Sequence, residues 1–263
     1  MDQRRTVLGQ AYGDAAAFDR FWAEELREAG AGLIDGISLH EARRVLDLGA
    51  GIGLNVPAIS AAAPNATIVA ADFVEAMIRA ASDDARRLVA DAMALPFADG
   101  SFDAVVMAFM LFHVPSPQQA LSEVRRVMAP GGRIAVGTWE PAPPFEPDTI
   151  WFGLLDEFGA APLDQSVARQ ELMNSPAKLE ALLRSQGFDD VTTDTRTLVD
   201  PMDLETFLTR RTTLGVALPR YLSLSPDART DVVRRARAKL GALDPGAFDV
   251  ADTAIYGWAR LPS

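Results

Sequence analysis

Short apolar runs alternate with amphipathic stretches through the first half of the chain. Arg43–Leu48, Ala66–Ala71, Arg87–Ala90, Phe102–Phe109 and Arg133–Trp139 read as strands. Between them, residues 54–63, 74–82 and 117–128 carry helical periodicity, and Pro64 stops the first of these. Pro130-Gly131-Gly132 reads as a turn leading into the fifth strand. Ahead of the first strand, residues 14–29 predict a helix, with Phe18, Phe21, Trp22, Glu25 and Ala29 at three-to-four spacing. Strands that alternate with helices at this spacing argue for βαβ units and a mostly parallel sheet. Apolar runs without strict alternation fit a sheet covered on both faces.

The rhythm changes after Trp139. Pro141, Pro143, Pro144 and Pro147 mark a loop or boundary. Residues 148–172 read as loose helix, and Ser175-Pro176 opens a helix through Gln186 with Gly187 as its C-cap. Val191–Leu198 reads as a strand, helices follow near 203–214 and 226–241, and Asp252–Leu261 reads as the last strand. The expected organisation is one domain over residues 1–263. Residues 1–30, 145–172 and 203–245 form a cap over the site.

Composition narrows the chemistry. The chain has 263 residues, a formal charge of −11, no Cys and two His, His40 and His113. A thiolate nucleophile, a Cys-based metal centre and a three-His metal site are therefore excluded; composition leaves an oxygen-ligand site open, but no metal is expected. The acidic balance argues against a nucleic-acid partner. No apolar run is long enough to cross a bilayer, and the N-terminal residues lack the apolar stretch of a secretion signal, so a cytoplasmic protein without membrane insertion is expected.

The candidate chemistry begins at Val45-Leu46-Asp47-Leu48-Gly49-Ala50-Gly51-Ile52-Gly53, a strand running into glycines ahead of a helix. Glycines allow a sharp turn and close backbone approach to a ligand. The dinucleotide fingerprint G-x-G-x-x-G fails here, because Leu54 stands where its last glycine would be. Asp47 would repel a pyrophosphate and suits a cationic group. Asp72 ends the second strand, where acids bind ribose hydroxyls, and Phe73 follows it. Asp91-Ala92-Met93 follows the third strand, placing a further acid at the same edge of the sheet.

With VLDLGAGIGLN, VAADF, DAMALPFADGSFDAVV, FHVPSP and LSEVRRVMAPGGRIAVGTWEP, residues 43–141 resemble class I S-adenosylmethionine-dependent methyltransferases of the ubiquinone/menaquinone-biosynthesis-like type 11 group. The resemblance implies an α/β, Rossmann-like, seven-stranded sheet of order 3-2-1-4-5-7-6 with strand 7 antiparallel. It implies that Asp47, Gly49, Gly51 and Gly53 hold the amino-acid part of the cofactor. Asp72 would take the ribose, with Phe73 against adenine. Asp91 would accept the adenine amino hydrogens, with Ala92 and Met93 at the ring. Ala108 and Phe109 would flank the methionine part, and Tyr12 would approach from the N-terminal helix.

Other residues carry two readings each. Asp72 also suits the N-cap of the helix at 74–82. His113 is a candidate general base or a structural residue. Trp139 lines an acceptor site or packs under the cap, and Tyr221 joins it as a candidate acceptor contact. Arg210, Arg211 and Arg220 would suit an anionic substrate, whereas the run from Arg229 to Lys239 reads as a solvated face. The expected reaction is methyl transfer to a small hydrophobic acceptor, with S-adenosylhomocysteine as product. A cofactor-binding protein that catalyses another reaction or regulates stays open. So does an NAD(P)-dependent oxidoreductase, which Leu54 and Asp47 disfavour.

Overall fold

A computed structural model describes residues 2–142, 144–164 and 169–263, without the side chains of Asp2 and Gln3. Pro143 of the expected proline loop and residues 165–168 of the expected helix at 148–172 lie outside the described residues.

The strands are β1 (Arg44–Leu48), β2 (Thr67–Asp72), β3 (Arg86–Val89), β4 (Phe102–Ala108), β5 (Met128–Trp139), β6 (Asp189–Asp200) and β7 (Val250–Arg260). They form one sheet of order β3-β2-β1-β4-β5-β7-β6, as the resemblance implies. β1 to β5 pair in parallel, and β7 runs antiparallel between β5 and β6. Val45, Leu46, Val105, Val106, Ile134 and Val136 are fully buried, as a sheet covered on both faces requires. Around 130–132 both turn and strand are present. Met128 pairs with Phe102 and Arg133 with Ala104, and the residues between loop out through Gly131 at φ +74°.

Helices α3 (Val56–Ala62), α4 (Glu75–Ala80), α5 (Pro117–Val127) and α7 (Pro176–Ser185) connect the strands. Ser116 and Ser175 cap α5 and α7 by accepting from Gln119 N and Lys178 N, and a proline follows each serine.

The helices before β1 exceed expectation. α1 (Asp2–Tyr12) precedes the helix that the periodicity predicts at 14–29, and α2 (Ala15–Asp35) runs past Ala29 through two glycines. A Cβ at Gly30 would stand 2.1 Å from Asn55 Oδ1, so this glycine buys close packing rather than a helix end. The later part of α2 belongs to the main core: Ala29, Leu33 and Ile34 are buried there, and Trp258 Nε1 donates to Leu33 O at 2.8 Å.

A second apolar cluster gathers α6 (Glu146–Glu157), α8 (Leu204–Thr213) and α10 (Pro226–Leu240) around Trp151, Phe207, Val232 and Leu240. The short α9 (Leu218–Leu222) packs beside α8. The single helix expected over 148–172 is corrected: α6 stops at Glu157, because Gly159 takes φ +73° and Pro162 follows. Among the described residues no helix is long and apolar enough to cross a membrane.

Candidate active site

β1 delivers its chain into a loop whose glycines take φ +74° (Gly49), +56° (Gly51) and +81° (Gly53). A side chain at Gly49 would place Cβ 2.4 Å from Met110 Cγ. The loop is tied to β2: Gly49 N and Ala50 N donate to Ala71 O at 2.8 and 3.0 Å. Asp72 completes the tie, its Oδ2 accepting from Gly51 N at 2.8 Å and its Oδ1 from Val74 N at 2.7 Å. The capping role expected of Asp72 is corrected: the N-cap of α4 is Val74, which has no side-chain cap bond, and the Asp72 carboxylate instead ties the glycine loop to the residues ahead of the helix. Burial holds the Asp72 carboxyl above its usual range, against the opposing pull of those N–H groups and Arg4.

Asp47 lies beneath the loop with no exposure, and neither carboxylate oxygen has a hydrogen-bond partner among the described residues. Burial pushes it from the usual 3.8 up to about 7; the nearby Asn55 amide opposes this without reaching hydrogen-bond geometry, and the Asp72 charge adds to it. An unpaired buried carboxyl is costly, and a cation or a set of N–H donors would relieve it.

A cavity of about 450 Å³ opens in front of this loop. Of the sequence-derived site residues, Tyr12, Gly49, Gly51, Asp72, Phe73, Ala92, Ala108, His113 and Trp139 line it. Asp47, Gly53, Asp91 and Met93 are not lining residues; Asp91 Oδ1 accepts from Met93 N at 3.0 Å and from Arg4 Nη1, on the lining, at 2.9 Å. Tyr221 is elsewhere. It packs on Trp151 at 5.8 Å inside the second apolar cluster and is not a lining residue.

At the end of β4, Phe109 adopts φ +55°, which is rare outside glycine and is a mark of functional sites. Its ring stacks on Trp139 with centroids 4.3 Å apart. A 3₁₀ turn, Leu111–His113, follows and brings His113 Nε2 to 3.0 Å from Tyr12 OH. Burial raises the Tyr12 phenol well above its usual value, so it stays protonated.

The far wall is charged. Arg211 is held by two bonds of 2.7 Å to Asp148, and Arg210 pairs with Asp200. Both arginines line the cavity but are already paired, and Arg220 bonds Asp156 away from it. Glu25 and Asp252 share this wall. Burial, with the charges of Asp200 and Asp252, pushes Glu25 up to about 7, against Arg210. Sequence reading put Glu25 on a largely apolar helix stripe without giving it a role; an acid in that position was the available signal. Arg4 had no such signal. The basic run on α10 is a solvated, ion-paired face, with Arg234 on Asp231 and Arg237 on Glu205.

The sheet order and the loop after β1 define a Rossmann-like fold. Residues 46–136 match the family model described as a methyltransferase domain. A demethylmenaquinone methyltransferase of Thermus thermophilus is 43% identical over 108 residues, 38% of this chain and 49% of the relative. The chain spans about half the length of the curated relatives it matches. Among solved structures, the YcgJ protein of Bacillus subtilis aligns with a TM-score of 0.59 and 19% identity, covering 90% of this chain and 99% of its own. The [4+2]-cyclase SpnF aligns at 0.57 with 18% identity, over 98% and 91% of the two chains. At such identities the likeness is one of fold.

Proposed function

We propose that the protein transfers a methyl group from S-adenosylmethionine to a small, largely hydrophobic acceptor. The observation that carries this reading is the unpartnered, fully buried Asp47 beneath a side-chain-free glycine loop, within a methyltransferase-domain match. The residues fit the cofactor. Asp47 would face its cationic amino group through the loop, and Gly49, Gly51 and Gly53 leave room for close approach. Asp72 retains lone pairs for the ribose hydroxyls. Phe73 and Asp91, with Ala92 and Met93, form the adenine end, and Ala108 and Tyr12 close on the methionine part.

The cofactor, when bound, supplies a sulfonium-activated methyl group. The chain's own contribution is to hold the acceptor in line and exclude water, which can supply roughly 7–11 kcal/mol. Phe109, Trp139, Phe152, Met202 and Phe207 give the acceptor end its apolar surface. The described residues of 145–172 and 203–245 serve as the cap, with those of 1–30 closing the cofactor end. The curated relative's name points to a quinone precursor, but the match over residues 46–136 includes none of this cap, so the acceptor is proposed by class only. His113, positioned by Tyr12, is the proposed base for an acceptor O–H or N–H.

Incubation with S-adenosylmethionine and a panel of apolar acceptors should release S-adenosylhomocysteine. Tight cofactor binding with no product across the panel would favour a protein that uses this fold for another reaction. Binding of NAD without S-adenosylmethionine would sink the reading. His113→Asn should lower kcat while leaving cofactor affinity within about twofold, and an unchanged kcat makes the residue structural.

A further inference from the structure

The first turn of α1 carries a guanidinium into the adenine end of the site. Arg4 Nη1 lies 2.9 Å from Asp91 Oδ1, and its guanidinium carbon lies 4.1 Å from the centre of the Phe73 ring. The Arg4 side chain is only 10% exposed and lines the cavity, and its buried Nε has no hydrogen-bond partner among the described residues. The pair with Asp91 is a single-bond contact rather than the two-bond fork that a structural arginine commonly makes. Leu8 and Val7 pack with Phe73 and Val74, which holds the helix over this end.

A guanidinium and the amino edge of adenine share their recognition chemistry. Each is flat and delocalised, donates N–H bonds in its plane to a carboxylate, and lays its face on an aromatic ring. A guanidinium seated 4.1 Å above Phe73 leaves no gap for a base on that face. We propose that Arg4 is a built-in competitor for the adenine seat, so that cofactor entry displaces its side chain from Asp91 and Phe73. The inference rests on the reading of Asp91 and Phe73 as adenine contacts. The orphaned Nε makes the seated state an incompletely satisfied one, which favours release to water. The other end of α1 need not move. Gly215 N donates to Ala11 O at 2.9 Å, and Tyr12 stays on His113.

Calorimetric titration with S-adenosylhomocysteine tests this. That ligand carries no net charge, so long-range attraction drops out. Arg4→Ala should tighten binding about three- to tenfold. Arg5→Ala, which removes a guanidinium 4.7 Å from the same ring but no contact with Asp91, should stay within about twofold of wild type. Asp91→Asn should weaken binding at least tenfold. If Asp91→Asn weakens binding while Arg4→Ala fails to tighten it, the competitor idea alone is overturned. If Asp91→Asn binds normally, the adenine reading is wrong and the competitor idea goes with it. A second readout needs no loss of the side chain. The arginine Nε–H resonance absent from Arg4→Lys identifies Arg4. Saturating ligand should move it to rapid solvent exchange, and a resonance that stays in place overturns the proposal.

Discussion

Replacing Asp47 with Asn removes the charge from a carboxyl that has no exposure and no hydrogen-bond partner. In the unfolded chain this group loses its proton near 3.8, and in the folded chain near 7. Between those values the folded state holds the extra proton. Its stabilising contribution is fully present below about 4 and is lost as pH rises through 7. At 1.36 kcal/mol per pH unit, the wild type should lose about 3 kcal/mol through Asp47 between pH 5 and pH 8. Asp47→Asn has no such loss, so its stability relative to wild type should rise by about 3 kcal/mol over that interval. Glu25 also shifts up to about 7, but it titrates in both proteins and cancels in the difference. Urea unfolding followed by circular dichroism at several pH values measures this directly. A difference that stays constant to within about 0.5 kcal/mol would refute the argument that Asp47 is desolvated and unpaired. The same substitution should lower affinity for S-adenosylmethionine and flatten its rise with pH, because the ionised carboxylate is the form that faces a cation.

Asp72→Ala strips Gly51 N and Val74 N of their acceptor, which should cost about 1–3 kcal/mol of stability and weaken cofactor binding at least tenfold by calorimetry. Intact affinity would break the site assignment. Gly49→Ala forces an L side chain to φ +74° with Cβ 2.4 Å from Met110 Cγ, so it should destabilise by about 1–3 kcal/mol and abolish cofactor binding. A variant with wild-type melting and affinity would show that the loop can rearrange. Phe207→Ala empties the centre of the second cluster, between Phe145 and Phe248, and should cost about 3–5 kcal/mol in denaturant unfolding. A loss under about 1 kcal/mol would mean that this cluster contributes little to global stability.

The proposed cofactor half of the site was legible because its residues sit at strand ends. In a parallel sheet the C-terminal ends of β1, β2 and β3 share one edge, so Asp47, Asp72 and Asp91 converge without further information. The proposed acceptor half was not legible in this way. Glu25, Asp148, Asp200, Arg210 and Asp252 come from five elements spread over most of the chain, and only packing assembles them. Tyr221 shows the same limit from the other side: its aromatic character suited a substrate contact, but α9 turns it onto Trp151.

Local sequence therefore determined the strands, the glycine loop and the acids around it, because strand segments and backbone turns follow from short-range pattern and glycine content, whereas the strand order came from the family resemblance. Tertiary structure decided what those groups are chemically. Burial leaves Asp47 unpaired and shifts it toward neutrality, α1 lays Arg4 over Phe73, and α2 carries Glu25 into the cavity. Each outcome depends on which surface a distant helix covers. Desolvation and contact are properties of the assembled chain, and no short stretch of sequence contains them.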